Sequence, residues 1–277
     1  MPELPELERG RHIAADVAVG RSIERVRCAD DRIVIEGVAP RTLAKTLTGR
    51  RVVEVHRHGK QLWFELDQPP MPLFHYGMTG AFHVPGGEHL DLESGIDPGD
   101  TWPPRFWKIQ IEFDDGGALA MTSARRLGRI RLRDDPPNEP PLNRLGFDPL
   151  LNMPSPTEFA RLLAGRRGTL KGLLLNQSFA AGVGNWIADE VLYQSHLDPR
   201  RSVDSLDERD VRAMHRCLSR IIRTAVDANA NKRRFPRTWL FHTRWGRDPE
   251  ATTSDGEPIE HLTVAGRTTA WVPTRQH

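Results

Sequence analysis

The first residues of this 277-residue chain, MPELPELE, could form a reactive site. Methionine ahead of a small residue is normally trimmed, and trimming would leave Pro2 with a free secondary amine. The pKa of an α-amino group is about 8, and the start of a helix behind it disfavours the protonated form. Attack by the neutral amine on an aldehyde-like carbon would give an iminium ion, an electron sink of the Schiff-base type.

Two carboxylates accompany this amine. Glu3 and Glu6 lie one helical turn apart and could act as acid and base beside Pro2. Proline and glutamate also favour the first turn of any helix, so a purely structural role for these residues stays open.

Further polar residues stand in loop-like stretches. Gly182 and Gly184 leave a turn open and Asn185 begins the next helix, so free N–H groups there could meet a phosphate. A helix-packing turn is the alternative. Lys60 follows a glycine at the start of a strand, and His75 in FHYGMTG could contact a phosphate. A solvated lysine and a packed turn explain these two residues equally well.

A second pattern places apolar side chains beside arginine. Met78 stands in a glycine-bounded loop, which is an awkward place for a core residue. Arg125 and Leu127 in SARRLGRIRLR combine a cation with an apolar wedge, as needed to push into a base stack. Arg267 lies in AGRTTAWVP, near the tip of a predicted hairpin. Each residue alone is also compatible with ordinary packing or a solvated surface.

The elements that must hold these residues differ between the two halves of the chain. LPELERGRHIAADV has helical spacing, whereas KQLWFEL, FWKIQIEF and RIRLR alternate as strands of a β-sandwich or barrel do. DDPPNEPPLN, residues 134–143, has four prolines and predicts a linker. Beyond it we predict helices with capping boxes at Ser155–Glu158 and Ser205–Glu208, and a β-hairpin in PIEHLTVAGRTTAWVP.

Composition bounds the class of protein. Charged residues make up 27% and hydrophobic residues 38%, and no apolar run is long enough to cross a bilayer. The acidic start is unlike a secretory signal. We therefore expect a globular, water-soluble protein that stays in the bacterial cytoplasm or, in a eukaryote, enters the nucleus. Cys28 and Cys217 form neither a metal-type pair nor a disulfide framework. The net charge is positive in the second half and slightly negative in the first, and a positive net charge suits a polyanion or a solvated surface.

The order of the motifs carries more information than any one of them. MPELPELE, HRHGKQLW, FHYGMTG, RRLGR, LGFDPL, LLLNQSFAAGVGNWIADEVLYQ and AGRTTAWVP occur in sequence from residue 1 to residue 273. In this order they resemble the formamidopyrimidine-DNA glycosylase/endonuclease VIII family, with the helical block matching its helix–two-turn–helix element. The likeness is greatest to the zincless, plant- and fungal-type branch.

The resemblance implies a bifunctional DNA glycosylase/AP lyase of base excision repair that acts on double-stranded DNA and cleaves the strand by β,δ-elimination. Pro2 would attack C1′, Glu3 would protonate the sugar, and Glu6 would support them. Lys60 would join this catalytic group. The resemblance assigns phosphate contacts to Lys60, His75, Asn185 and Arg267, and filling of the hole left by the everted base to Met78, Arg125 and Leu127.

Three departures from the family pattern stand out. Leu127 replaces a usual phenylalanine wedge, and Asn176 replaces the aspartate of LLLDQ, with an effect that the sequence does not predict. The family's zinc finger uses two CxxC pairs, whose positions here hold Thr252, Asp255, Val272 and Arg275. That set is unsuited to zinc, so we expect no metal or other cofactor and a hairpin held by apolar contacts of Ile259, Leu262, Val264 and Trp271.

The predicted fold is therefore α+β, with four parts. Residues 1–133 form a helix plus β-sandwich, 134–150 a linker, 151–247 a helix–two-turn–helix domain, and 248–277 a zincless hairpin finger. The stretch 227–247 is short and has one glycine where the bacterial branch has a long glycine-rich lid. We therefore expect weak excision of 8-oxoguanine and better excision of formamidopyrimidines and hydantoins. The alternative function is a non-catalytic DNA- or RNA-binding protein; a monomer is expected in either case.

Overall fold

The computed structural model describes residues 2–88 and 96–277. Met1, whose removal the sequence analysis expects, lies outside this part of the chain. The chain divides into two compact units, Met1–Arg144 and Leu145–His277. The four-part division predicted from the sequence stays a prediction, although the boundary between the units falls inside the predicted linker. Among the described helices, none combines the length and the apolar character needed to cross a membrane.

The first unit contains two helices and eight strands in the described residues. These elements are α1 (Leu4–Ala18), β1 (Ile23–Cys28), α2 (Pro40–Leu47), β2 (Val52–His58), β3 (Gln61–Leu66), β4 (Met71–His75), β5 (Ala81–His83), β6 (Trp107–Phe113), β7 (Ala118–Thr122) and β8 (Arg129–Arg133).

The strands form two antiparallel four-stranded sheets, in the orders β1-β6-β7-β5 and β2-β3-β4-β8. Apolar side chains of both sheets and both helices join in one buried cluster. Phe82 of the first sheet contacts Phe64 and Phe74 of the second, with ring centroids 5.9 and 5.1 Å apart. The predicted β-sandwich is confirmed, because alternating apolar residues give each sheet one face to bury.

Helix α1 forms where its spacing predicts, with Pro5 in the first turn. Its apolar residues face the core, and Leu4, Leu7 and Ala14 are essentially inaccessible to solvent. Gly10 permits a close approach, since a Cβ there would lie 2.0 Å from the hydroxyl of Tyr76. The prolines after β8 leave only two short 3-10 turns, Pro136–Asn138 and Leu142–Arg144, as expected of a linker.

The second unit is helical with a terminal β-hairpin. Its elements are α3 (Pro156–Leu163), α4 (Leu170–Leu175), α5 (Asn185–Ser195), α6 (Glu208–Asp227), β9 (Glu260–Val264) and β10 (Arg267–Trp271). The predicted turn of the hairpin is confirmed: Ala265 and Gly266 both have positive φ, 51° and 69°, which suits a tight two-residue turn.

One capping prediction holds and the other is wrong. Ser155 and Glu158 cap α3 reciprocally, with Glu158 accepting the N–H of Ser155 at 3.0 Å. Helix α6 is instead capped by Asp207, whose carboxylate accepts the N–H of Asp210 at 2.8 Å. Ser205 does not cap the helix because it belongs to the preceding 3-10 turn, Val203–Ser205, two residues ahead of the capping position.

Candidate functional site

The first residues of the chain are buried rather than frayed. Pro2 is buried, and Glu3 and Glu6 are 1% and 6% exposed. The carboxylate of Glu6 accepts the N–H of Glu3 at 2.9 Å, which is the helix-starting role left open by the sequence. Burial, and then the neighbouring Glu3 carboxylate, raise the pKa of Glu6 to about 7. Glu6 can therefore hold or release a proton near neutral pH while it caps the helix.

A buried ion pair ties α1 to the turn that bears Lys60. Arg57 of β2 donates to Glu8 of α1 at 2.6 Å and to the carbonyl of Gly59 at 3.2 Å. Burial alone would raise the pKa of Glu8, but Arg57 and Arg11 outweigh it and lower this pKa. Because Gly59 immediately precedes Lys60 in the β2–β3 turn, this pair fixes the turn relative to the helix that starts at Glu3.

His75 ends β4 opposite Gln61, the residue after Lys60. Burial, followed by Lys60, Arg131 and Arg129, lowers the pKa of His75 to about 4. Its Nδ1 accepts the N–H of Gly77 at 3.2 Å, so the neutral ring carries its proton on Nε2. His75 can thus donate one hydrogen bond to a phosphate oxygen without carrying charge.

The loops with Met78 and Leu127 meet through glycine. A Cβ on Gly77 would lie 2.4 Å from the carbonyl carbon of Leu127, so only glycine allows this approach. The N–H of Arg125 lies 3.5 Å from the hydroxyl of Thr79. Leu127 is 43% exposed, an unusual position for a large apolar side chain, and Met78 is half-buried. The structure therefore brings together the three residues that the resemblance implies as base-stack fillers.

Asp31, which was not predicted from the sequence, supports this loop. Asp31 is 5% exposed and accepts two hydrogen bonds from Arg126, at 3.0 and 3.1 Å, and one from Lys108. Arg126 has φ of 55°, a strained value for a residue other than glycine, and the ion pair holds it there. Arg125 and Leu127, on either side of Arg126, are exposed.

In the second unit, a glycine turn leads into α5. The amide of Gln177 closes this turn by donating to the carbonyl of Val183 and accepting the N–H of Gly182. Asn185 is the first residue of α5, and its amide donates to the carbonyl of Thr268 at 2.9 Å. Asn185 therefore lies beside the residue that follows Arg267.

Two exposed arginines flank this point of the hairpin. Arg267 begins β10, and Arg247 donates to the hydroxyl of Thr268 at 2.6 Å. Both side chains are exposed, so either could contact an anion next to Asn185. Arg247 was not predicted, because its segment has no regular pattern in the sequence.

A buried charge cluster joins α5 to the hairpin and was also missed. Asp189 of α5 is 1% exposed and pairs with Lys171 of α4 and with Arg244, whose Nη2 lies 2.5 Å away. The same carboxylate accepts the N–H of Ala270 at 3.2 Å. One side chain thus fixes α4, α5 and β10 around Asn185.

The expected apolar support of the hairpin is present in part. Ile259, Val264 and Trp271 are buried, whereas Leu262 is only partly buried. Polar contacts supplement it, and they include two of the four positions where the family has zinc ligands. Arg275 pairs with Asp255 at 3.0 Å and donates to the hydroxyl of Tyr193 at 2.7 Å.

The remaining two of those positions, Val272 and Thr252, have no thiolate, imidazole or carboxylate group. Val272 is fully buried in the apolar cluster of the hairpin, and Thr252 forms a backbone bridge with Pro258. Among the described residues, the group of histidine and carboxylate side chains close enough to share a metal ion lies elsewhere, at Glu54, His56 and Glu65 on β2 and β3.

Asn176 has a role that the sequence did not predict. Its side-chain oxygen accepts the N–H and the hydroxyl of Ser178, at 3.0 and 2.8 Å. A carboxylate would accept the same bonds, so asparagine is compatible with this turn.

The stretch 227–247 packs on α5 through aromatic side chains. Trp186 of α5 contacts Phe235, Trp239 and Phe241, with ring centroids 5.2–6.4 Å apart. The N–H of Phe241 donates to Glu190 at 2.8 Å. These contacts anchor the segment to α5.

Family models match most of the chain. The N-terminal domain of formamidopyrimidine-DNA glycosylase matches residues 1–130, and the H2TH domain of the same protein matches residues 145–236.

Curated relatives extend the match to the whole chain. Formamidopyrimidine-DNA glycosylase of Arabidopsis thaliana is 39% identical over 277 residues, covering 100% of this chain and 71% of the relative. The Heliobacterium modesticaldum protein is 36% identical over 82% of this chain and 79% of its own length. The Thermus thermophilus protein is 32% identical, over 100% and 98%.

Solved structures have the same fold. Lactococcus lactis formamidopyrimidine-DNA glycosylase bound to DNA containing an AP site superimposes with a TM-score of 0.80 at 24% identity, over 99% of each chain. A complex described as MutM with DNA containing carbocyclic 8-oxo-G gives 0.81 at 24% identity, over 100% of each chain.

Proposed function

Because the chain belongs to the formamidopyrimidine-DNA glycosylase family, we propose that it removes oxidised purines from duplex DNA and then cleaves the strand at the abasic site. One observation supports this proposal independently of the family match. Pro2 is followed by two buried carboxylates, one of which, Glu6, has its pKa raised to about 7. A free secondary amine beside buried carboxylates is the arrangement that Schiff-base chemistry needs, whereas a protein that only binds DNA has no need of a free terminal proline.

The first half of the reaction forms the covalent intermediate. The Pro2 nitrogen, freed by removal of Met1, forms a bond to C1′ while the C1′–N9 bond breaks and the base leaves with the bonding electrons and a proton. The nitrogen loses its own proton, Glu3 protonates O4′, and the C1′–O4′ bond opens to leave an iminium ion. Glu6 accepts or returns a proton in these steps because its pKa is close to neutral.

The second half cleaves the strand. The iminium ion acidifies the C2′ hydrogen, whose removal expels the 3′ phosphate in β-elimination. Loss of the C4′ hydrogen then expels the 5′ phosphate in δ-elimination, and water releases the sugar fragment from Pro2. Lys60 and His75, and separately Asn185 and Arg267, bind phosphates of the DNA, while Met78, Arg125 and Leu127 replace the everted base.

Borohydride trapping tests the proposal. Borohydride reduces an iminium ion to a stable amine, so the wild-type chain should become covalently fixed to DNA that contains an abasic site. A non-catalytic binding protein would bind the same DNA without becoming fixed. Base release without trapping would contradict the Pro2 mechanism and indicate a glycosylase that lacks lyase activity.

The lesion preference follows from the segment 227–247. It has one glycine, and its aromatic side chains anchor it to α5, so it is poorly suited to closing over a base. The enzyme therefore excises formamidopyrimidines and hydantoins faster than 8-oxoguanine. Single-turnover rates on matched duplexes opposite cytosine test this. Equal rates for 8-oxoguanine and a formamidopyrimidine would contradict it.

The hairpin acts without zinc. The Arg275–Asp255 ion pair and the buried Val272 support this, because they occupy three of the four positions where the family has cysteine ligands. Purified protein should contain far less than one zinc per chain, and a chelator should leave excision intact. Stoichiometric zinc that a chelator removes together with activity would contradict this part of the proposal.

A further inference from the structure

Helix α6 has a row of arginines on its solvent side. Arg209, Arg212, Arg216, Arg220 and Arg223 are all exposed. At 3.6 residues per turn they fall within an arc of about 80°, and they extend about 21 Å along the helix. The opposite face is apolar and buried through Met214, Leu218 and Ile221, so the arginine row has a fixed orientation. We refer to these five residues as the arginine stripe.

The stripe is poorly neutralised. Arg212 pairs with Glu208, and Arg220 donates to the amide of Gln194 at 2.8 Å. Arg209, Arg216 and Arg223 have no hydrogen-bond or ion-pair partner among residues 2–88 and 96–277. Arginines three and four positions apart on one helix face repel each other, so the stripe is locally unfavourable in the free protein. A polyanion would remove this repulsion.

A groove of about 1,030 Å³ runs beside the stripe. Its walls include Gln194 and Ser195 at the end of α5, His196 and Leu197 just after it, and the stripe arginines other than Arg212. Asn185 is at the opposite end of α5, about 15 Å away along the helix axis. The groove is therefore separate from the surface formed by Asn185 and Arg267.

The lining indicates which polyanion fits. None of the large apolar side chains found exposed in the described residues lies in the groove. An acidic peptide needs such anchors for affinity, and a single strand needs aromatic rings to stack its bases. The groove lining includes no exposed large apolar side chain and no phenylalanine, tyrosine or tryptophan, and its rings are the imidazoles of His196, His215 and His277. A duplex backbone needs only an array of cations, because release of its counterions supplies the affinity.

We propose that the arginine stripe binds the phosphate backbone of a second DNA duplex segment while the Asn185–Arg267 surface is occupied. The inference rests on the proposed function only in taking duplex DNA as the natural ligand. A second backbone site would let the enzyme pass directly between DNA segments during its search for damage.

Native mass spectrometry with an undamaged duplex of about 12 base pairs in low salt tests the proposal. The wild-type chain should bind two duplexes, and the Arg216→Glu/Arg223→Glu variant should bind one. The Arg41→Glu/Lys45→Glu variant is the matched control, since it changes the charge equally on exposed positions of α2 and should still bind two. One duplex on the wild type, or two on the stripe variant, would overturn the proposal.

A milder variant covers the possibility that charge reversal disturbs α6. Arg216→Gln/Arg223→Gln should lower the salt dependence of second-duplex binding by about two phosphate contacts, with an unchanged melting temperature. An unchanged salt slope would contradict the proposal. A polyglutamate peptide that binds the stripe more tightly than the duplex would assign the surface to an acidic protein and also overturn it.

Excision is measured separately on the same variants. Stripe variants should excise a formamidopyrimidine at the wild-type single-turnover rate, because neither Arg216 nor Arg223 belongs to the proposed catalytic or lesion-binding residues. If the wild type excises nothing, the proposed function fails, while the number of bound duplexes still decides whether the stripe binds DNA.

Discussion

Each unit of the chain contains a buried carboxylate at its candidate site, and the two differ in their neighbours. Glu6, in the first unit, lies next to another carboxylate and, within the described residues, pairs with no lysine or arginine. Asp189, in the second unit, pairs with both Lys171 and Arg244. Burial and the neighbouring carboxylate raise the pKa of Glu6 to about 7, whereas Asp189 fixes the elements around it through its two ion pairs.

Proton transfer and positioning are assigned to different carboxylates, even within one helix. Glu8, only two residues beyond Glu6, is ion-paired with Arg57 and has its pKa lowered. The same helix therefore contains one carboxylate suited to proton transfer and another suited to holding the Lys60 turn. The type of residue does not distinguish them, since both are glutamates; the neighbouring charges do.

The largest expected effect tests whether the chemistry belongs to the first unit alone. Pro2→Gly should reduce borohydride trapping and strand cleavage at least about 1,000-fold, because the secondary amine is lost, while the variant still binds abasic-site DNA. Gel assays with abasic duplexes measure both. A chain with an uncleaved residue ahead of Pro2 should behave in the same way. Full lyase activity in that form would contradict the Pro2 mechanism.

The next effect is a loss of stability in the second unit. Asp189→Asn should lower the free energy of unfolding by about 3–5 kcal/mol, because Lys171 and Arg244 would stay buried without a counter-charge. Urea unfolding measures it. Asp198→Asn, which breaks the more exposed Asp198–Arg200 pair, is the control and should cost at most about 1 kcal/mol. An equal loss of unfolding free energy in the two variants would show that the Asp189 ion pairs contribute no more than an exposed pair does.

The corresponding change of carboxylate to amide at Glu6, Glu6→Gln, should stabilise the folded protein at high pH, whereas Asp189→Asn destabilises it. The pKa of Glu6 is raised in the folded state, so its contribution to stability is complete below the unfolded value of 4.5 and is lost as pH rises through about 7. Relative to Glu6→Gln, the wild type should lose about 2.5 kcal/mol between roughly pH 5 and pH 8.

Glutamine keeps an acceptor for the N–H of Glu3, so the variant isolates the titration. Unfolding of both proteins in urea at the two pH values gives the difference. If the two stabilities run parallel across this range, Glu6 is not a proton carrier and the contrast with Asp189 fails.

The smallest effect concerns Arg267, an exposed residue of the candidate site in the second unit. Arg267→Ala should weaken DNA binding several-fold and lower the salt slope by about one phosphate contact, because an exposed arginine contributes mainly counterion release. Fluorescence anisotropy across a salt series measures it, with Arg267→Lys as the control that keeps the charge. An unchanged slope in Arg267→Ala would remove this residue from the proposed phosphate contacts.

The sequence by itself determined the elements whose signals are local. Helix α1, the cap of α3 and the Ala265–Gly266 turn all depend on residues within a few positions of one another, and all appear as predicted. The order of motifs likewise identified the family. The predicted cap of α6 was wrong because serine and aspartate are both good caps. Contacts of residues 202–205 decided between them.

The tertiary structure decided which charges meet. Glu8 and Arg57 are 49 positions apart, Asp31 and Arg126 are 95 apart, and Asp189 and Arg244 are 55 apart. No periodicity relates such pairs, so Glu6 and Lys60 could be selected from the sequence but the ion pairs that support the site could not. Whether a carboxylate carries a proton or holds a loop depends on burial and on the cations that folding brings to it, and neither is a local property of the chain.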